Sequence, residues 1–198
     1  MIYDSAQNIT WLQDANYAKT SGYDSSGNMT WDQAIAWVAQ LNYGGHDDWR
    51  LSSARLIGSN GFSYDGSTDR GYNISRSELG SLFFELGNIA NCNTSGACGQ
   101  PGSGFIHTSF VDPDSNQSVG FLNVLPASYW QAEAWMLDPI YSWRFNNSVG
   151  SQNSEFAFNE FYAWAVRDGD VADIPVPAAA WLFGSSLAGL LAVRRRAR

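Results

Sequence analysis

Lysine is nearly missing from this chain: Lys19 is the only one among 198 residues. Four of the eleven basic residues, Arg194, Arg195, Arg196 and Arg198, fall in the last five positions, and all nineteen acids precede them. Residues 1–173 therefore set seven basic against nineteen acidic groups, a formal charge of −12. Nucleic acid binding depends on clustered Lys and Arg that displace counterions, so nucleic acid is excluded as a partner. Histidine is equally scarce, with only His46 and His107, which leaves little room for a Ser-His-Asp site. No G-x-S-x-G, phosphate-loop, H-E-x-x-H or dinucleotide pattern occurs. The start, "MIYDSAQN", lacks the basic residues and apolar stretch of a secretory leader. Either this start is internal to a longer reading frame, or the protein stays inside the cell.

Cysteine is limited to Cys92 and Cys98, in the small-residue loop "NCNTSGAC". Such a loop can close as a disulfide, which fits an oxidising compartment; the alternative is a pair of free thiols. A metal pair is disfavoured, because no second Cys or His pair stands at ligand spacing.

Aromatic residues and turn formers are what the chain has in quantity. Nine Trp, nine Tyr and eleven Phe stand beside nineteen Gly, which describes a loop-rich exported domain. The length suits one domain that buries roughly 70% of its unfolded surface and needs no metal to fold. Residues 2–3 and 9–12 read as strands, and "DSSGN" at 24–28 as a tight turn. Thr30 and Gln33 form a T-x-x-Q capping box, followed by Trp31, Ala34, Ile35, Val38 and Leu41 at helical spacing and by Gly44 and Gly45 as the stop. Ser75 and Glu78 read as a second capping box, with Leu79, Leu82, Phe83 and Leu86 on one face and Gly87 as terminator. "SVGFLNVL", "YWQAEAWML", "YSWRFNN" and "EFYAWAVR" then read as strands. Two helices followed by several antiparallel strands predict an α+β domain.

Two acidic motifs invite chemistry. Asp47 and Asp48 could act as paired carboxylates, or one could orient Trp49 and Arg50 in a structural turn. "DPDSNQ" places Asp112, Asp114 and Asn116 at the alternating spacing of a calcium loop, yet Gln117 and Asn123 replace the Gly and Glu such a loop requires. No cofactor is therefore expected: the stretch reads as a solvated turn, with calcium as the alternative.

The series "YDSAQNITWLQDANYA", "MTWDQAIAWVAQLNYGGHDDWRLSS", "SELGSLFFELGN" and "FYAWAVRDGD" resembles a bacterial domain family related to the C-terminal domain of a collagen-like adhesin. The likeness spans residues 1–170. It implies a C-type lectin-like fold, also shared by formylglycine-generating enzymes, with two helices packed on a twisted, loop-rich antiparallel sheet. The chain departs from the family pattern at Ser52, where a proline is usual, and in "YWQAEAW", where Y-W-S-G or Y-W-S-S is common.

The end, "IPVPAAAWLFGSSLAGLLAVRRRAR", resembles the PEP-CTERM class of sorting signals in its V-P-x-P-A variant. Residues 171–177 form the linker, with Pro175, Val176, Pro177 and Ala178 standing for the recognition motif. Residues 178–193 are an uncharged run that would span about 24 Å as a single apolar transmembrane helix, and 194–198 are a basic cytoplasmic end. Arg194, Arg195 and Arg196 place the preceding domain outside the inner membrane. The resemblance implies an exosortase-type sorting protease as partner, with transfer to the cell surface or extracellular matrix. A buried core helix is the competing reading of this run.

The leading expectation is a non-catalytic surface module binding carbohydrate or matrix polymer. Trp130, Trp135 and Trp143 are candidate stacking platforms, and Glu133, Asn146 and Asn147 candidate hydrogen-bonding groups. A structural matrix protein without specific ligand, and a copper-dependent oxidase like the formylglycine-generating enzymes, are the alternatives.

Overall fold

In a computed structural model, the protein is described over residues 1–112 and 115–170. Its elements run β1 (Ile2–Asp4), β2 (Ile9–Trp11), α1 (Tyr17–Thr20), α2 (Trp31–Ala39), β3 (Arg50–Leu51), β4 (Phe62–Ser63), β5 (Arg70–Tyr72), α3 (Glu78–Glu85), β6 (Ser109–Val111), β7 (Ser118–Gly120), β8 (Ser128–Ala134), β9 (Tyr141–Asn146), β10 (Ser151–Phe156), β11 (Tyr162–Ala163) and β12 (Ala165–Asp168). The class is α+β, as the sequence implies. The order is more interleaved than two helices followed by strands, because five short strands come before α3. The apolar C-terminal helix and the whole sorting tail lie outside the described residues. Among the described residues no helix is long and apolar enough to cross a membrane.

Local chemistry explains the two main helices. At α2 the Thr30 hydroxyl accepts from Gln33 N–H while the Gln33 side chain accepts from Thr30 N–H, a complete capping box. Ala34, Trp37 and Val38 face the core. At α3 the cap is Ser77, whose hydroxyl accepts from Gly80 N–H, two residues later than the Ser75 box predicts. Glu78 therefore opens the helix, where the positive end of the helix dipole favours a carboxylate. Gly87 ends α3 at φ +82°, with Gly87 N–H on Phe84 and Asn88 N–H on Phe83, the paired bonds of a Schellman motif.

The strands form three sheets. One has the order β1-β2-β12-β3, antiparallel throughout. The largest has the order β11-β8-β9-β10-β5-β4 and is antiparallel except at its two edges, where β11 runs parallel to β8 and β4 parallel to β5. β6 and β7 make a separate hairpin. Gly71 in β5 is required by close approach: at φ +129° a Cβ would sit 1.8 Å from the Ser63 carbonyl oxygen.

The core is aromatic. Trp11, Tyr129, Trp130, Phe145 and Trp164 are fully buried with Phe83 and Leu79 of α3. Their polar atoms are satisfied locally: Trp130 Nε1–H donates to Met29 at 2.8 Å and Trp164 Nε1–H to Leu12 at 2.7 Å. Tyr129 accepts from Leu125 N–H, and burial pushes its phenol above the ordinary tyrosine range.

Cys92 and Cys98 form a disulfide closing the five residues between them. Asn93 shapes this loop, its side-chain oxygen accepting from Ser95 N–H and Ala97 N–H. Paired replacement of both cysteines by serine is expected to cost about 2 kcal/mol, the loop-closure entropy of so short a ring. Urea unfolding of the oxidised and variant proteins checks this, and equal midpoints would contradict it.

Candidate functional site

The segment after α2, "GGHDDWRLSSAR", reads as the most chemically equipped part of the sequence, and the fold spends it on structure. Asp48 meets Arg167 of β12 through two hydrogen bonds of 2.8 and 2.9 Å, and Arg167 holds its carboxyl below the ordinary aspartate range. Trp49 donates to the His46 carbonyl rather than to either acid. Arg50 bridges Asp168 and the buried carboxylate of Glu78, which it grips through both terminal nitrogens at 2.8 and 2.9 Å. Arg55 and Ser53 N–H complete the shell around Glu78. Ser52, the residue at the expected proline position, is fully buried, and its carbonyl accepts from Ala132 N–H.

The six residues expected to bind ligand are not brought together. Trp130 and Trp143 are fully buried, so they present no ring to a ligand and are core residues. Glu133 is occupied by Ser53 Oγ–H and Ala54 N–H, fastening β8 to the loop after β3. Asn146 caps its own turn, accepting from Ser148 N–H at 2.9 Å. Asn147 is fully buried beneath Phe105, whose N–H donates to the Asn147 carbonyl. Trp135 is half-buried just past the end of β8, with its Nε1–H toward Asn60.

Sequence pattern missed the company Trp135 keeps. Its ring meets Tyr141 edge-on at 5.5 Å, Tyr141 stacks on Phe156 at 4.5 Å, and Phe156 stacks on Phe158 at 5.0 Å. Met136, Leu137 and Ile140 lie in the hairpin loop between Trp135 and Tyr141, and Met136 is 88% and Phe158 62% exposed. Large apolar patches are uncommon on the surface of an acidic protein. Past Asn60, a second trio follows, exposed at Phe62 and Tyr64: Phe62 meets Tyr64 at 5.3 Å, and Tyr64 stacks on half-buried Tyr72 at 5.9 Å.

Register defines the surface beside the second cluster. Phe62 pairs with Arg70, and Arg144 with Asn153 and Trp130. Ser151 pairs with Tyr72, which sets Asn153 beside Arg70, whose Nε–H donates to it at 2.8 Å. Because side chains alternate along a strand, Phe62, Arg70, Asn153, Arg144 and Trp130 form one row across one face of the six-stranded sheet. The crossover from β10 to β11 covers the Trp130 end, with Phe161 against Trp130 at 4.8 Å and under the Arg144 guanidinium at 5.8 Å.

Of the calcium-loop residues, Asp112 and Asn116 are held in a turn: Asn116 N–H donates to the Asp112 carbonyl, and the Asp112 carboxylate accepts from Ser115. Asp114 lies outside the described residues. Asn123 donates to Asp14 and contributes no ligand here. Among the described residues no group of three His, Cys, Asp or Glu could hold a metal ion. An apolar hollow of about 260 Å³ between β1, α3 and the β6–β7 hairpin includes the carboxylates of Asp4 and Glu85, which accept from Gln7 and Ser81 respectively. No family model and no curated protein matches the chain.

Proposed function

We propose that this is a non-catalytic surface module that binds a carbohydrate or an extracellular matrix polymer, and that residues 171–198 serve as a sorting signal for export. The observation that carries the binding reading is the aromatic strip of half-buried Trp135 and Tyr141 with exposed Phe156 and Phe158. Sugar rings carry apolar C–H faces beside hydroxyls, and such ligands are met by aromatic surface flanked by a few amides and charges. Asn60 supplies one such group beside Trp135. The four sequence blocks that resemble the adhesin-related family support the lectin-like reading of the fold and its surface role.

The disulfide supports the non-catalytic reading over the oxidase one, because it consumes both thiols that a soft copper site would need. The membrane and protease partners rest on the V-P-x-P-A motif and the arginines that follow the apolar run.

Affinity electrophoresis of the full chain in gels containing bacterial matrix polysaccharides tests the reading. Retardation by at least one polymer is expected, with Phe158→Ala and Trp135→Ala each weakening it about tenfold, the scale of one lost aromatic contact. Because Phe158 is 62% exposed, its replacement is not expected to move the unfolding midpoint appreciably. Unretarded migration in every polymer would overturn the proposal.

A further inference from the structure

Six of the seven basic residues in the body are arginines, and four of those have carboxylate partners. Arg50 and Arg55 share Glu78, Arg76 holds Asp69, and Arg167 holds Asp48. Arg70 and Arg144 form no ion pair among the described residues, and they stand on the same sheet face on either side of Asn153. With strands about 4.8 Å apart, their backbones are about 10 Å apart, a span two long side chains can close onto one small group.

Arg144 is unusual in a second respect. Its Nε and Nη1 are enclosed by protein yet have no hydrogen-bond partner, and neither does the hydroxyl of Ser142, two residues earlier on the same face. Unpartnered buried donors are costly. Burial pushes the Arg144 guanidinium below the ordinary arginine range, offset in part by Glu155 and Tyr72, so its charge is held at a desolvated spot without an acid in contact.

We infer that this face binds a carboxylate-bearing ligand, the uronic-acid type of sugar unit, with the carboxylate on Arg144 and Arg70 as the second contact. The inference rests on the polymer reading above and adds to it a contact on the sheet face opposite the Trp135 strip. Geometry and charge both select the group. A guanidinium matches a carboxylate through charge-assisted hydrogen bonds. Arg70 and Arg144 together with Glu155 leave a net single positive charge on the face, which one carboxylate neutralises and a phosphate dianion would overshoot. Phe62 and Tyr72 beside the row offer ring surface to the rest of the sugar.

The test uses the full chain with three probes: galacturonate, oligogalacturonate, and the same oligomer with each carboxylate reduced to a primary alcohol. Galacturonate is expected to shift the Arg144 Nε–H resonance in NMR spectra. Oligogalacturonate is expected to bind at least tenfold more tightly than the reduced oligomer. Arg144→Gln should abolish that preference and Arg70→Gln should weaken it several-fold. Glu155→Gln should strengthen binding by removing a competing negative charge. Arg70 is the safer variant if Arg144→Gln fails to fold. Equal binding of the acidic and reduced oligomers would overturn this inference and leave the polymer reading standing. A galacturonate-shifted Arg144 with no retardation in any polysaccharide gel would support the site and overturn the polymer reading. An Arg144 resonance unmoved by galacturonate would overturn the site.

Discussion

Glu78→Gln is expected to lower the unfolding free energy by about 3 kcal/mol, near the lower end for breaking a buried ion pair. Glu78 is 2% exposed, yet it sits at the start of α3 facing two arginines and a backbone N–H. The amide keeps the shape but donates where only acceptors are wanted, so its nitrogen opposes an Arg50 or Arg55 donor. The helix dipole loses its carboxylate as well. The loss stays near the lower end because the Arg50 and Arg55 side chains are themselves 32% and 40% exposed and can turn toward water. Urea unfolding should show a lower midpoint with an unchanged slope. Arg50→Leu on the Glu78→Gln background should cost less than it does alone, because the two residues act as one unit. Simple additivity of the two changes would contradict this account of the cluster.

Trp164→Ala should be the most damaging single change, at about 4 kcal/mol. Trp164 stands between β11 and β12, where the two larger sheets approach each other, and its ring is enclosed by four others. Phe121 lies at 5.1 Å, Trp11 at 5.2 Å, Tyr129 at 5.8 Å and Phe105 at 6.3 Å. Those rings come from separate segments and cannot all collapse into the space. Trp164→Phe separates packing from polarity. It should cost about 2 kcal/mol, because most of the ring contact survives while the Leu12 carbonyl loses the indole N–H that satisfies it. Calorimetry of both variants checks the order; a Phe variant as unstable as the Ala variant would show that the hydrogen bond, not the ring packing, dominates.

Elements with an apolar period or a cap were legible in the sequence. α2 announced itself through Thr30 and Gln33, and β8 and β9 through their aromatic content. β10 was not, because its sequence SQNSEF is polar although it lies inside the largest sheet. Its buried residue is Gln152, accepted there because its amide donates to the Asp69 carbonyl and receives from Gln131. β3, β4 and β5 are two or three residues long, too short to show a period. The α3 cap was misplaced because Ser75 and Ser77 are equally good capping residues, and the choice is made by the distant Arg50, which needs Glu78 at the first position of the helix.

The candidate surface was legible only in kind. Aromatic and amide residues near "YWQAEAW" and "YSWRFNN" do belong to neighbouring strands, but a sequence does not say which sheet face a crossover will cover. Trp130 and Trp143 went inside, and the exposed strip was completed by Phe156 and Phe158 from a segment with no apolar pattern. Arg70 and Arg144 could not be singled out, since what distinguishes them is the acids that the other four arginines found elsewhere in the fold.

The order β1-β2-β12-β3 also fixes when this fold can be completed. β12 is among the last elements of the described chain, yet it lies between β2 and β3, so Ile9 meets Asp168 across almost the whole domain. A nascent chain lacking residues 165–168 holds β1 and β2 as a hairpin with no sheet to join. Closing so long a loop is slow relative to local structure. The sheet is therefore not completed before residues 165–168 have been made, an interval in which a chain of the exported kind proposed above could still be threaded through a membrane.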